Sequence, residues 1–196
     1  KHTPEAIPSI LSEALAVSFD QHIGHDYLGQ TDERFDYYHR VEERLKFDLQ
    51  YFNRITKGGL PPKTLNVALA GTGVGKSLFM CHVASSMLTQ GRNVLYITLE
   101  MAEERIAERI DANLLDCTID ELYEMPKKYY DSKVKRLQSK VQGQLIIKEY
   151  PTAAAHAGHF KSLIDELALK KSFKPDIVFV DYLNICSSSR FKGGNI

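Results

Sequence analysis

The stretch Thr64–Leu78, T-L-N-V-A-L-A-G-T-G-V-G-K-S-L, constrains this chain more than any other. An apolar run, Leu65 to Ala70, is followed by glycines at alternate positions, Gly71, Gly73 and Gly75. Lys76 and Ser77 then open a helical pattern. That order reads as a strand, a glycine loop and a helix N-terminus. It matches a phosphate-binding loop with one departure: the first motif position is Ala70, not glycine. Alanine keeps the position small but narrows its backbone freedom. Small side chains let loop N–H groups converge on an anion, and the helix dipole adds positive potential. The candidate nucleotide-binding residues are Gly71, Thr72, Gly73, Val74, Gly75, Lys76, Ser77 and Leu78. Lys76 is expected against the β- and γ-phosphates, and Ser77 is expected to offer its hydroxyl to Mg²⁺. ATP with Mg²⁺ is the ligand pair this implies.

The patterning around that stretch predicts an α/β fold. A helix runs from Lys76 to about Gln90 and stops at Gly91. Asn93–Leu99 reads as a buried parallel-type strand, and helical spacing resumes from Ala102 with Ile106, Ile110 and Leu114 on one face. Asp120–Met125 and Tyr129–Gln142 look helical, Leu145–Glu149 is a short strand, His156–Lys171 a helix, and Asp176–Asp181 the last strand. Strands alternating with helices imply a mostly parallel sheet flanked by helices. Ahead of the loop, residues 4–19 carry amphipathic helical spacing, expected to pack on their own core or on a neighbouring subunit. Asp32–Phe52 is charged and aromatic, with Phe35, Tyr37, Tyr38, Phe47, Tyr51 and Phe52. Core or adenine-side packing is the expectation for these rings, ahead of base stacking. Lys57-Gly58-Gly59 and Pro61-Pro62 mark a turn before the loop.

Two carboxylates stand out. Asp181 ends the apolar run Ile177–Val180, at the C-terminal edge of a buried strand, where ligands of open α/β sheets lie. Beside a phosphate loop it is the expected Mg²⁺ carboxylate, with Ser77. Glu100 also ends a strand, in T-L-E-M. It can orient and deprotonate an attacking water, or serve as an acid at a helix start; the residues leave both readings open. Glu100 and Lys76 are the catalytic candidates. His22 with His25, and His156 with His159, are each three residues apart, but zinc needs further ligands and no Cys or His lies at the usual spacing. Lys127, Lys128, Lys133, Lys135, Arg136 and Lys140 are interleaved with Asp131 and tyrosines, as on a solvated helix face.

Charge and composition narrow the partners. The 25 basic and 25 acidic residues cancel, so any nucleic-acid contact must be local. Cys81, Cys117 and Cys186 form no disulfide framework, which suits a reducing cytosol. No apolar run approaches the roughly 18 residues of a membrane helix. The chain opens at Lys1 with no signal-peptide pattern, as an excised piece of a longer protein would.

These residues together resemble a family: the hexameric replicative DNA helicases of the DnaB type, most closely those of T-even-type bacteriophages. The matching stretches are I-T-K-G-G-L and the loop, N-V-L-Y-I-T-L-E-M-A-E-E, R-I-D-A-N-L-L-D, and I-V-F-V-D-Y-L. They span Ile55 to Leu183, about two-thirds of the chain. The loop and I-V-F-V-D are shared by many ATPases; L-E-M-A-E-E and R-I-D-A-N are far more particular. The resemblance implies a RecA-like motor that forms a homo-hexameric ring in its full-length form and moves on single-stranded DNA at a replication fork by ATP hydrolysis. It makes Lys76 and Ser77 the P-loop pair, Asp181 the Mg²⁺ carboxylate and Glu100 the catalytic carboxylate. It reads residues 1–54 as a helical linker that docks on an adjacent motor, and 55–196 as the ATPase core, truncated after the Walker B strand. Primase and a helicase loader are the implied partners, in the cytoplasm of a bacterial host if the protein is phage-encoded. The family continues with a γ-phosphate-sensing glutamine, DNA-binding loops and an arginine finger. A chain stopping at Ile196 is therefore expected to hydrolyse ATP weakly on its own. A RecA-like recombinase or other RecA-like ATPase, and a monomeric P-loop kinase, share the loop; the linker-like helix and L-E-M-A-E-E favour the helicase.

Overall fold

The structure, a computed structural model, describes residues 24–188. The helix expected over residues 4–19, and His22, lie outside the described residues. By internal contacts the chain divides into two compact units, Lys1–Glu42 and Glu43–Ile196. In chain order the described elements are α1 (Thr31–His39), α2 (Gln50–Ile55), α3 (Lys76–Thr89), β1 (Val94–Thr98), α4 (Glu103–Leu114), α5 (Ile119–Glu124), α6 (Lys127–Gln138), β2 (Leu145–Glu149), α7 (Ala157–Lys171) and β3 (Ile177–Asp181). A 3₁₀ turn, Leu183–Ile185, follows β3.

In the first unit, α1 buries none of its residues. Arg34 bonds the carbonyl of Tyr27, its guanidinium 4.4 Å from the centre of that ring. Phe35, Tyr37 and Tyr38 are exposed.

The second unit opens with an antiparallel bridge between Leu45 and Leu60. The bridge closes a loop around α2, and the Asn53 side chain seals it by bonding both the N–H and the carbonyl of Phe47, at 2.8 and 2.6 Å. The turn expected at Lys57-Gly58-Gly59 is present. Gly59 is obligatory there: its φ is +120°, and a Cβ would fall 2.3 Å from the Leu45 carbonyl oxygen. Phe47, Phe52 and Phe79 follow one another as tilted ring pairs, with centroids 5.4 and 5.2 Å apart, and Phe47 and Phe79 pack on the core while Tyr51 stays exposed.

The sheet has the order β2-β1-β3, all parallel. Side chains alternate across a strand, and β1 obeys this with both faces covered. Val94 and Tyr96 pack with Cys81, Val83, Ala84, Met87 and Leu88 of α3 and Ile106 and Ile110 of α4. Leu95, Ile97 and Leu99 pack on the opposite face with Leu167 of α7, Ala155 and Phe173. All five β1 residues are buried, which is why the sequence reads as a continuous apolar run rather than an alternating one. Full burial of one such side chain contributes about 1.5–3 kcal/mol relative to exposure. Helix α6, the lysine-rich segment, buries nothing.

Helix ends follow local chemistry. Thr118 and Glu121 form a reciprocal capping box at α5. His156 and His159 do the same at α7: the Gly158 N–H donates to His156 Nδ1 (3.0 Å), and the His156 N–H donates to His159 Nδ1 (3.2 Å). The three-residue histidine spacing is thus a helix cap.

One expectation is corrected. Leu65–Ala70 is not a strand of the sheet; it has no regular secondary structure and is exposed, with Leu65 89% and Leu69 95% open. An apolar run specifies that a segment can be buried, but pairing also needs a strand edge and a cover on both faces. Among the described residues the run has no such cover and does not pair with the open edge of β3.

Candidate functional site

Parallel register and side-chain alternation bring the site together. Asp181 is the last residue of β3 and lies opposite Thr98, the last of β1. Ile177 and Phe179 point into the α3 side of the sheet, so Asp181, two residues further on, points there too. Helix α3 begins on that side with Lys76. The Lys76 ammonium lies 3.8 Å from Asp181 Oδ1 and 3.8 Å from the centre of the Tyr182 ring.

Asp181 is 2% exposed. Its Oδ2 accepts a hydrogen bond from the Tyr96 hydroxyl at 3.0 Å. Its Oδ1 is buried and has no hydrogen-bond partner among the described residues. Buried carboxylate oxygens are ordinarily satisfied, and this one faces the lysine at the mouth of the glycine loop. The Tyr96 hydroxyl in turn accepts from Cys81 Sγ at 3.8 Å, and its ring stacks on Phe179, centroids 5.6 Å apart. Burial pushes the Tyr96 phenol far up from its ordinary value and also raises the Cys81 thiol, so both keep their protons as donors.

The glycine loop is open. Gly73 and Gly75 have φ of +77° and +100°, values that favour glycine. A Cβ on Gly73 would meet nothing within 4 Å. Gly75 stands as the left-handed N-cap of α3 with no side-chain cap, and the first turn carries no acid. A 14-residue helix thus presents uncapped N–H groups, the arrangement that receives anions. Thr72, Val74 and Leu78 are exposed around the loop, and Ser77 is half-buried in the first turn.

Glu100 sits at the same carboxyl edge, exposed, in a bend after β1. The bend is fastened by Thr98: its hydroxyl donates to the Met101 carbonyl at 2.8 Å and accepts from the Met101 N–H at 3.1 Å. The Thr152 hydroxyl donates to the Leu99 carbonyl at 3.0 Å. Beyond the bend, Glu103 and Glu149 exchange backbone-to-carboxylate hydrogen bonds that tie the start of α4 to the end of β2. Glu103 and Glu104 fill the first turn of α4, so Glu100 stands outside the helix.

The structure thus brings Lys76 against Asp181 and sets Glu100 on their sheet edge. Sequence reasoning passed over Tyr96. The clue was one phenol inside the aliphatic run V-L-Y-I: a fully buried hydroxyl must find a partner.

Among the described residues no helix is long and apolar enough to cross a membrane. Comparison with known proteins adds the following. Residues 45–195 match the DnaB-like helicase C-terminal domain family. The chain is 46% identical over 190 residues to the DnaB-like replicative helicase of Enterobacteria phage T4, an alignment covering 95% of this chain and 40% of that protein. The chain therefore spans about 40% of that relative's length. A solved DnaB-like replicative helicase, studied with its interactions with primase, superposes with a TM-score of 0.60 at 16% identity, covering 95% of this chain and 45% of the solved one. At that identity the likeness speaks for the fold: a RecA-like core.

Proposed function

We propose, because this chain belongs to the DnaB-like helicase C-terminal domain family, that it is the ATP-driven motor of a replicative DNA helicase. What supports the reading most is one juxtaposition: an open glycine loop at an uncapped helix N-terminus, with Lys76 3.8 Å from a buried carboxylate oxygen that accepts no hydrogen bond among the described residues. That oxygen suits a small hard cation. Mg²⁺ takes oxygen ligands, keeps several waters, and needs only one or two protein groups beside substrate phosphates.

In this reading the N–H groups of residues 71–78 hold the triphosphate, and Lys76 leaves Asp181 and Tyr182 for the β- and γ-phosphates. Asp181, through Oδ1, and Ser77, through its hydroxyl, would hold Mg²⁺, which when bound neutralises charge on the phosphate oxygens. Glu100 orients a water and takes its proton as the water's oxygen bonds to the γ-phosphorus. The bond from that phosphorus to the bridging oxygen breaks, leaving ADP and inorganic phosphate. Residues 1–54 act as the linker arm and 55–196 as the motor core, although residues 43–54 pack within the second compact unit. The protein works as a homo-hexamer on single-stranded DNA at the fork, with primase and a loader as partners. Its place is the cytoplasm of a bacterial host. A head-to-tail ring can close in this way because each subunit offers a different surface to each neighbour.

The test is strand separation on a forked duplex by the longest form of the protein. ATP-dependent unwinding that disappears with Lys76→Ala is expected. ATP turnover indifferent to single-stranded DNA, with no strand separation, overturns the reading in favour of a P-loop enzyme acting on a small acceptor.

A further inference from the structure

We infer that Tyr96 is a positioning residue for the metal-facing carboxylate: its hydroxyl, donating to Asp181 Oδ2, fixes the carboxylate so that Oδ1 is aimed at the loop. The inference rests on the nucleotide-site reading above and deepens it. A carboxylate turns readily about its last torsion, which is broad and two-fold. A single fixed donor removes that freedom. Tyr96 is such a donor, because it is 0% exposed, stacks on Phe179 and receives the Cys81 thiol on its oxygen. Its one proton is therefore committed to Oδ2, at 3.0 Å.

The asymmetry of Asp181 argues for a role beyond satisfying a buried phenol. If the pair served packing alone, both carboxylate oxygens would find donors. Here Oδ2 is bonded on the core side, while Oδ1, also buried, faces only the Lys76 ammonium at 3.8 Å and accepts no hydrogen bond among the described residues. The chain Cys81–Tyr96–Asp181–Lys76 begins and ends on α3, five residues apart, with β1 and β3 between. Helix, loop lysine and carboxylate are thereby held in one register. Partners that orient a metal's ligands typically matter 10–100-fold for metal affinity.

The experiment compares this chain with its Tyr96→Phe, Cys81→Ala and Lys76→Ala variants. Affinity for a fluorescent non-hydrolysable ATP analogue is measured across a Mg²⁺ titration and in EDTA. Tyr96→Phe is expected to move the Mg²⁺ half-point up by roughly 10–100-fold, with metal-free affinity unchanged. Cys81→Ala removes the thiol from the Tyr96 oxygen but leaves the Tyr96–Asp181 bond, so its half-point should shift clearly less than that of Tyr96→Phe. A Tyr96→Phe half-point equal to wild type overturns the inference, as does an equal shift in Cys81→Ala, which would mark a packing effect. Lys76→Ala separates the two levels. If it binds the analogue as wild type does, the nucleotide-site reading itself falls; if it loses binding while Tyr96→Phe titrates normally, only the role of Tyr96 falls. Should Tyr96→Phe fail to fold, ring-labelled tyrosine NMR on the wild type decides. The Tyr96 resonance should move with analogue plus Mg²⁺ and stay still with analogue in EDTA; equal movement in both overturns the inference.

Discussion

The two halves of the site are built in opposite ways. The carboxylate half is packed against the sheet: Asp181 is 2% exposed, held by Tyr96, and ends a strand whose register against β1 is set by five paired residues. The loop half is open: Leu65, Val67 and Leu69 are 89, 72 and 95% exposed, and Gly73 has nothing within 4 Å of a would-be Cβ. Lys76 is the joint between them. The difference separates two kinds of specification. The carboxylate is placed by packing, so its geometry is preorganised and costs little to use. The loop is placed by local backbone chemistry and is free to close on an anion.

The sharpest way to test this division is at Glu100, exposed itself but pinned to the buried half by the Thr98–Met101 exchange. Glu100→Gln keeps size and removes the base. Single-turnover hydrolysis in the longest active form of the protein should fall by about 10²–10⁴-fold with nucleotide affinity retained. Wild-type turnover would make Glu100 merely an acid at a helix start. Next comes stability. Ile97→Ala, in the fully buried strand, should cost about 2–5 kcal/mol in urea unfolding. Leu69→Ala, which removes the same number of carbons, should change stability by roughly 0.5 kcal/mol or less, as exposed substitutions do. Comparable losses at the two positions would break the contrast, showing that the loop approach is packed in solution.

How much of this the sequence showed depended on whether the information was local. Strand β1 was legible because a run buried on both faces needs no partner to announce itself. The start of α3 was legible because Gly75 and Lys76 state a loop-to-helix change in two residues. Strand β2 was read to its ends from its short apolar, β-branched run, although its residues are at most half-buried. The Leu65–Ala70 run misled because apolarity reports capacity for burial, and strand pairing is a tertiary event. The His156–His159 spacing also carried two meanings, and the choice between a ligand pair and a cap depended on where the helix began. Tyr96 was hidden for a different reason. Its partner, Asp181, lies 85 residues away, and only the register of a parallel sheet puts them side by side.

The free edge of β3 has a consequence for handling the protein. Among the described residues the strand pairs on one side only, leaving backbone groups that can template another strand. An exposed apolar run of the same chain, Leu65–Leu69, supplies suitable material. With zero formal charge and a pI near 7.2, copies meet at neutral pH without mutual repulsion. Light scattering of concentrated samples should therefore grow fastest near pH 7 and recede as the buffer moves away from it. The colloidal behaviour of the chain follows from an edge, as well as from its surface charge.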